Sequence, residues 1–121
     1  MLLRSLKTIP TEAVSHDPQI LKQVILKAGE VPCLTTLSQA YLNPGQRTAR
    51  HSHRDMWEVF LVEEGSGYLI LNGVSSAIAS GCCFVITPGE EHEICSSAEQ
   101  GMRVTYFGVV GAVPDASKAA E

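Results

Sequence analysis

GQRTARHSHRDMWEVFLVEEG, residues 45–65, is the stretch that decides the interpretation of this chain. It places His51 and His53 one residue apart and sets a carboxylate, Glu58, just downstream. Residues two apart in a strand share a face, so both imidazoles are expected to point to one side. Glu58 follows His53 at an odd offset, and we therefore expect a turn or bulge at residues 54–56 that returns Glu58 to the same interior.

A second stretch, residues 81–92 (GCCFVITPGEEH), brings another histidine, His92, behind a Pro-Gly turn. Taken alone, a His-x-His pair, a glutamate at a strand start or a loop histidine is a weak signal. In combination they provide three imidazoles and one carboxylate, which are suitable ligands for a transition metal. The two stretches together therefore indicate a mononuclear metal site.

Composition narrows the class of protein. A chain of 121 residues corresponds to one domain, and its apolar content of 45% is that of a globular protein. The net charge of -4 offers no basic surface, so we do not expect a nucleic-acid partner. No apolar run approaches the roughly 18 residues of a membrane span, and no signal-peptide pattern opens the chain. We expect a cytoplasmic protein whose four cysteines are reduced thiols.

Short apolar segments separated by glycine and proline dominate the pattern. Turn residues are expected to end strands at 43–45, 64–67, 72–73 and 87–89. Strands are predicted at 34–42, 58–63, 68–71, 74–79, 82–86, 92–95 and 102–110, while 20–26 could be a strand or a helical turn. Strands at this spacing predict an all-β sandwich or barrel.

The first stretch resembles the first motif of the cupin superfamily, in which glycine, two histidines, a glutamate and a second glycine recur at fixed spacing. Every defining position is present here: Gly45, His51, His53, Glu58 and Gly65. The second stretch is similar to the second cupin motif through Gly81, Pro88-Gly89 and His92. It departs from that motif at Thr87, where proline is frequent, and at Ser96, where asparagine is frequent.

This resemblance implies a small double-stranded β-helix, or jelly-roll, barrel that is often dimeric. The barrel would span residues 31–111, after a leader of residues 1–30 that packs on the barrel or on a partner subunit. Residues 112–121 would form a flexible tail. Carried over position by position, the metal ligands would be His51, His53, Glu58 and His92, holding one iron, manganese, nickel or zinc ion per chain.

The sequence leaves the pocket lining open. Side chains considered for an anionic or carbonyl substrate are Tyr41, Arg47, Arg103 and Tyr106, but strand parity does not fix which of them point inward. Glu90 and Glu91 are interpreted as a solvated turn, with an acid or base role as the alternative. Trp57 and Phe60 are expected in the core.

Three functions follow from the resemblance. The first is a mononuclear-metal enzyme that acts on a small molecule in the manner of a dioxygenase. The second is a metal-dependent sugar or keto-acid isomerase or decarboxylase, in which the ion polarises a carbonyl group. The third is a binding or sensing protein without turnover. In each case we expect a small-molecule ligand, no membrane partner and a homodimer.

Overall fold

The computed structural model describes residues 1–111, and the predicted tail at 112–121 lies outside the described residues. The described chain forms eight strands and no helix. They are β1 (Glu12–Val14), β2 (Asp17–Leu26), β3 (Leu34–Leu42), β4 (Trp57–Leu71), β5 (Val74–Ala79), β6 (Cys83–Ile86), β7 (His92–Ser96) and β8 (Met102–Val109). Within this part of the chain, no helix exists that is long and apolar enough to cross a membrane.

All strand pairs are antiparallel and are divided between two sheets that share β4. In sheet A, strands β1, β2, β3, β8 and β4 follow one another, and β6 pairs with the other edge of β4. In sheet B, the second part of β4 lies between β5 and β7. This arrangement is the predicted jelly roll, and the all-β expectation is confirmed.

The turn predicted at residues 64–67 is wrong, because β4 continues through it. A register shift between Val62 and Glu64 marks the point where the strand passes from sheet A to sheet B. A Cβ atom on Gly65 would lie 1.8 Å from the carbonyl oxygen of Gly101, and one on Gly67 would lie 2.0 Å from that of Cys95. These glycines allow neighbouring backbones to approach closely, which is a known role of glycine within a strand.

The Asn-Gly hairpin is confirmed. Asn72 and Gly73 both have positive φ, at 48° and 82°, as a type I′ turn requires. Leu71 and Val74 pair directly across it. The ambiguous segment 20–26 is part of strand β2.

The core lies between the two sheets and uses alternate positions of the strands. Val62 and Met102 are fully buried, and Ile20 contributes from the N-terminal part of the chain. The first residues are fastened to the barrel as well: the Arg4 guanidinium donates to both oxygens of Glu30, at 2.5 and 2.6 Å. All four cysteines are unpaired.

Candidate metal centre

The four side chains singled out in the sequence converge in the structure. One ligand atom from each of His51, His53, Glu58 and His92 lies within 4.8 Å of the other three. Glu58 is the second residue of β4 and His92 is the first of β7. Side chains from three separate parts of the chain therefore meet at one point, and this cluster could hold a metal ion.

The local backbone differs from the strand expected around the histidine pair. His51 forms only an isolated bridge with His92, and His53 lies in a loop that bends at residues 54–55. That bend supplies the expected change of register before Glu58. The loop is held at His53, whose carbonyl oxygen accepts the Gly89 amide at 2.7 Å.

Backbone carbonyl groups orient two of the imidazoles. Nδ1 of His51 lies 2.9 Å from the carbonyl oxygen of Ala49, and Nδ1 of His92 lies 3.2 Å from that of Glu90. A carbonyl can only accept, so each Nδ1 carries the proton and donates it. The tautomer that results leaves a lone pair on each Nε2, as metal-binding histidines require.

Polar atoms at the centre of the cluster lack ordinary partners. Glu58 Oε1 lies 3.1 Å from His53 Nε2 and 3.2 Å from His92 Nε2. These distances suit hydrogen bonds, yet Glu58 Oε1 and His92 Nε2 are buried and make no hydrogen bond of acceptable angle. Buried polar atoms without partners are costly, and a cation between them would satisfy both. The donor set therefore fits a metal ion.

The environment shifts the histidine pKa values in opposite directions. Burial lowers the pKa of His53 below 6.5, although the Glu58 carboxylate opposes this. Burial also acts against the charged form of His92, but the facing Glu58 carboxylate and the Glu90 carbonyl outweigh it and raise the pKa of His92. His92 therefore holds its proton more firmly than His53.

A cavity of about 100 Å³ opens beside the cluster. A larger groove of about 320 Å³ crosses the outer face of sheet A, but none of the four clustered residues lines it. Two of the four clustered side chains, His51 and Glu58, line the smaller cavity. Its apolar lining consists of Val14, Ile20, Ala40, Leu42, Phe60, Ile94 and Val104, and its polar lining of His16, Asp17, Thr48, His51, Glu58 and Tyr106.

Of the four side chains considered for the pocket, only Tyr106 lines this cavity. Tyr41 is about half exposed and lines the outer groove, as does Arg103. Arg103 forms an ion pair with Glu64 at 2.7 Å. Arg47 pairs with the Glu93 carboxylate. Strand parity explains this outcome, because Tyr41 and Arg103 are paired residues that share the outer face.

The two departures from the second motif have structural roles. Both the amide and the hydroxyl of Thr87 donate to Glu90 Oε1, each at 2.7 Å. Glu90 thus fastens the turn before His92 and lies outside the cavity lining. The Ser96 hydroxyl donates to the carbonyl of Asn43 at 2.5 Å and joins β7 to the loop after β3.

Sequence reasoning missed Asp17, which is buried at the start of β2. Its Oδ1 accepts the amide of Ala49 at 2.8 Å, and Ala49 is the residue whose carbonyl orients His51. It also missed Ser38, whose buried hydroxyl has no partner at a hydrogen-bonding angle. Neither residue belongs to a motif, and no local signal in the sequence distinguishes them.

No curated protein matches the sequence. Many solved structures share the fold, among them a protein from Thermotoga maritima described as a predicted oxalate decarboxylase. That structure has a TM-score of 0.80 and 20% identity, with 92% of this chain and 100% of that chain covered.

Two further structures are similar to this chain. A sugar phosphate isomerase from Silicibacter pomeroyi has a TM-score of 0.76 and 19% identity, covering 88% of this chain and 74% of its own. The polyketide cyclase RemF from Streptomyces resistomycificus has a TM-score of 0.76 and 20% identity, covering 95% and 82%. At these identities the likeness establishes the fold and leaves the activity open.

The sequence itself matches the family model of the cupin domain over residues 39–108. That segment holds all four clustered side chains, together with the strands β4 and β7 that carry Glu58 and His92. Because the match extends over more than half of the chain, the protein belongs to the cupin family.

Proposed function

We propose that this cupin is a mononuclear-metal enzyme that acts on a small molecule in the manner of a dioxygenase. The proposal is carried by one observation: three imidazoles and one carboxylate converge within 4.8 Å at the side of an internal cavity. His51, His53, Glu58 and His92 would hold one iron, manganese, nickel or zinc ion. Both atoms of dioxygen would enter the product, so that no external reductant is needed.

A bound ion would supply open coordination positions beside four protein ligands, together with redox or Lewis-acid chemistry. Residues of the chain would orient the ligands and shape the cavity. The carbonyls of Ala49 and Glu90 hold two imidazoles in the binding tautomer. Apolar side chains form most of the cavity wall and limit the access of water to the reacting atoms.

The isomerase or decarboxylase alternative is less well supported by the lining. Anionic sugars and keto acids call for cationic side chains near the ion, and none of the cavity-lining residues is lysine or arginine. Glu58 faces the cluster as a ligand and is not available as a separate base. The binding or sensing alternative uses the same site and differs only in the lack of turnover.

The test begins with elemental analysis of protein purified without added metal, followed by oxygen-uptake measurements with small oxidisable compounds. Stoichiometric metal and substrate-dependent uptake are expected. The double variant His51→Ala/His92→Ala should lose the metal while remaining folded. His16→Ala is the matched control for metal content, because His16 is the only histidine outside the cluster. Undiminished metal in the double variant would contradict the ligand assignment.

Zinc or nickel without oxygen uptake would favour the isomerase or decarboxylase alternative. Metal binding without any turnover would favour a sensing role. Protein that takes up no metal, even when metal is supplied, would remove the enzymatic proposal altogether.

A further inference from the structure

The wall of the cavity beside the cluster is mainly apolar. Seven of its thirteen lining residues are apolar, and none is lysine or arginine. Its volume of about 100 Å³ is smaller than the roughly 150 Å³ of an engineered apolar cavity that binds benzene. Only a short hydrocarbon group fits such a space.

Three arginines are engaged in ion pairs, and no arginine or lysine lines the cavity. Arg47 and Arg50 both pair with Glu93, whose side chain is buried next to His92. Arg103 pairs with Glu64 on the outer face. Lys22 lines the outer groove and is absent from the cavity lining. A carboxylate or phosphate on the part of a ligand that enters the cavity would therefore have no lysine or arginine beside it, which is costly.

Most polar side chains of the lining are also engaged. Asp17 accepts the Ala49 amide, and the Thr48 hydroxyl accepts the amide of Ile94 at 2.9 Å. His16 is exposed at the β1–β2 turn.

Tyr106 also lines the cavity. Its ring is stacked on Phe60, with centroids 5.5 Å apart and planes 17° apart. Burial, with a smaller contribution from the Glu58 charge, raises the pKa of Tyr106 to about 12, while the neighbouring Ser38 hydroxyl acts in the opposite direction. The phenol is a neutral donor at physiological pH.

We propose that the substrate is a small molecule with an oxygen-bearing head and a short uncharged hydrocarbon remainder. The head would meet the metal ion and the Tyr106 hydroxyl, and the remainder would lie along the apolar side chains of the cavity wall. This inference rests on the proposed metal site. It goes further by assigning a substrate class and by naming Tyr106 as a positioning residue.

The experiment uses cobalt-loaded protein and two hydroxamic acids that share a metal-binding head. 4-Methylpentanohydroxamic acid ends in an isopropyl group, and succinic monohydroxamic acid ends in a carboxylate of the same shape. Binding is followed by the change in cobalt absorption. The isopropyl compound is expected to bind at least about tenfold more tightly, the factor that corresponds to one modest interaction. Equal or tighter binding of the carboxylate, or no binding of either compound to loaded protein, would overturn the proposal.

Two variants separate the contributions of the head and the remainder. Tyr106→Phe should weaken both hydroxamates about fivefold without changing cobalt content, and Tyr68→Phe, at an exposed tyrosine outside the cavity, should change nothing. Val104→Leu adds a methylene to the buried wall and should weaken the isopropyl compound. Val85→Leu, at an exposed position, is its control. Unchanged affinity in both Tyr106→Phe and Val104→Leu would contradict the assignment.

A measurement on metal-free protein distinguishes failure of this inference from failure of the metal site. Xenon enters small dry apolar cavities and is detected by its NMR shift. It should bind the metal-free protein and bind Val104→Leu more weakly. Xenon binding without cobalt uptake would remove the enzymatic proposal and leave the apolar cavity in place. Cobalt uptake without xenon binding would remove the substrate class alone.

Discussion

Asp17 Oδ1 accepts the amide hydrogen of Ala49 across a distance of 2.8 Å, although the two residues are 32 positions apart in the chain. The carbonyl of the same alanine accepts from Nδ1 of His51. The first long strand of the protein is thereby linked to the cluster through a single residue. Asp17 therefore acts on His51 indirectly, through the backbone group that orients the imidazole.

Asp17→Ala is therefore expected to weaken metal binding by about tenfold, the lower end for changes around a ligand, because the Ala49 carbonyl that orients His51 is held less firmly. The metal-free protein should also lose roughly 1–3 kcal/mol of unfolding free energy, since the Ala49 amide is left without its partner. Competition with a chromogenic chelator measures the affinity, and denaturant unfolding measures the stability. Glu99→Ala, at an exposed acidic residue, is the control. Unaltered affinity in folded Asp17→Ala would show that His51 is oriented without this link.

Glu58 tests whether a residue that favours metal binding lowers the stability of the metal-free protein. Its carboxylate is buried and has an oxygen without a hydrogen-bonding partner. Glu58→Gln removes the charge and should reduce metal affinity by at least about 100-fold. At pH values above the raised pKa of His92, the metal-free variant should be more stable by about 1 kcal/mol, because burying an uncharged amide costs less than burying a carboxylate. Thermal unfolding without metal measures this, and a lower stability would contradict it.

Metal affinity should depend on pH through His92. Its raised pKa means that it keeps a proton at pH values where a free imidazole, with a pKa of 6.5, has lost it. A metal needs the neutral form, so apparent affinity should fall about tenfold per pH unit below the raised pKa, with one proton released on binding. The lowered pKa of His53 places its own proton loss at lower pH. Calorimetry in two buffers of different ionisation enthalpy counts the proton, and affinity that is constant from pH 6 to 8 would exclude this competition.

Gly65 and Gly73 form a matched pair, since both have positive φ, at 88° and 82°. A side chain at Gly73 meets nothing within 4 Å, whereas one at Gly65 meets the carbonyl of Gly101 at 1.8 Å. Gly73→Ala should cost about 1–2 kcal/mol from backbone conformation alone. Gly65→Ala should cost more than about 4 kcal/mol or prevent folding. Equal losses in denaturant unfolding would show that the strand crossing is less tightly packed than described.

We expect the protein to form a dimer in solution. Leu21 and Tyr41 are about half exposed and paired on the outer face of sheet A, and Leu2 and Leu3 are also exposed. Covering such residues in a symmetric dimer would remove apolar surface from water. Light scattering at micromolar concentration measures the state directly, and a monomer at that concentration would contradict the prediction.

Much of the site was predictable because the cupin motifs fix ligand spacing. His51, His53, Glu58 and His92 meet without sharing a strand, and only the family pattern could bring the loop residue His53 into the set. The face of the sheet to which each side chain points was harder to predict, since a single register shift exchanges the two faces of a strand. The outward direction of Arg103 and the inward direction of Tyr106 follow from pairings across β3 and β8 that a sequence does not display.

The glycines of β4 illustrate a different difficulty. Glycine favours turns, so the segment 64–67, which contains Gly65 and Gly67, was predicted as a turn although it is part of strand β4. Their role depends on backbones from Gly101 and Cys95, which are distant in sequence. Asn72-Gly73 was read correctly because a type I′ turn is a local structure. The sequence therefore predicted local turns well and close strand crossings poorly.

Strand β8 has a consequence for the synthesis of the protein on the ribosome. It lies between β3 and β4 in sheet A, and Trp57 pairs with Val109 at its far end. A nascent chain that ends before Met102 lacks the strand that lies between β3 and β4, so these two strands cannot be joined in sheet A. All four clustered side chains precede β8 in the chain, so the barrel wall around them stays open until that strand arrives. Cotranslational closure is therefore impossible for this sheet until residue 109 has left the exit tunnel.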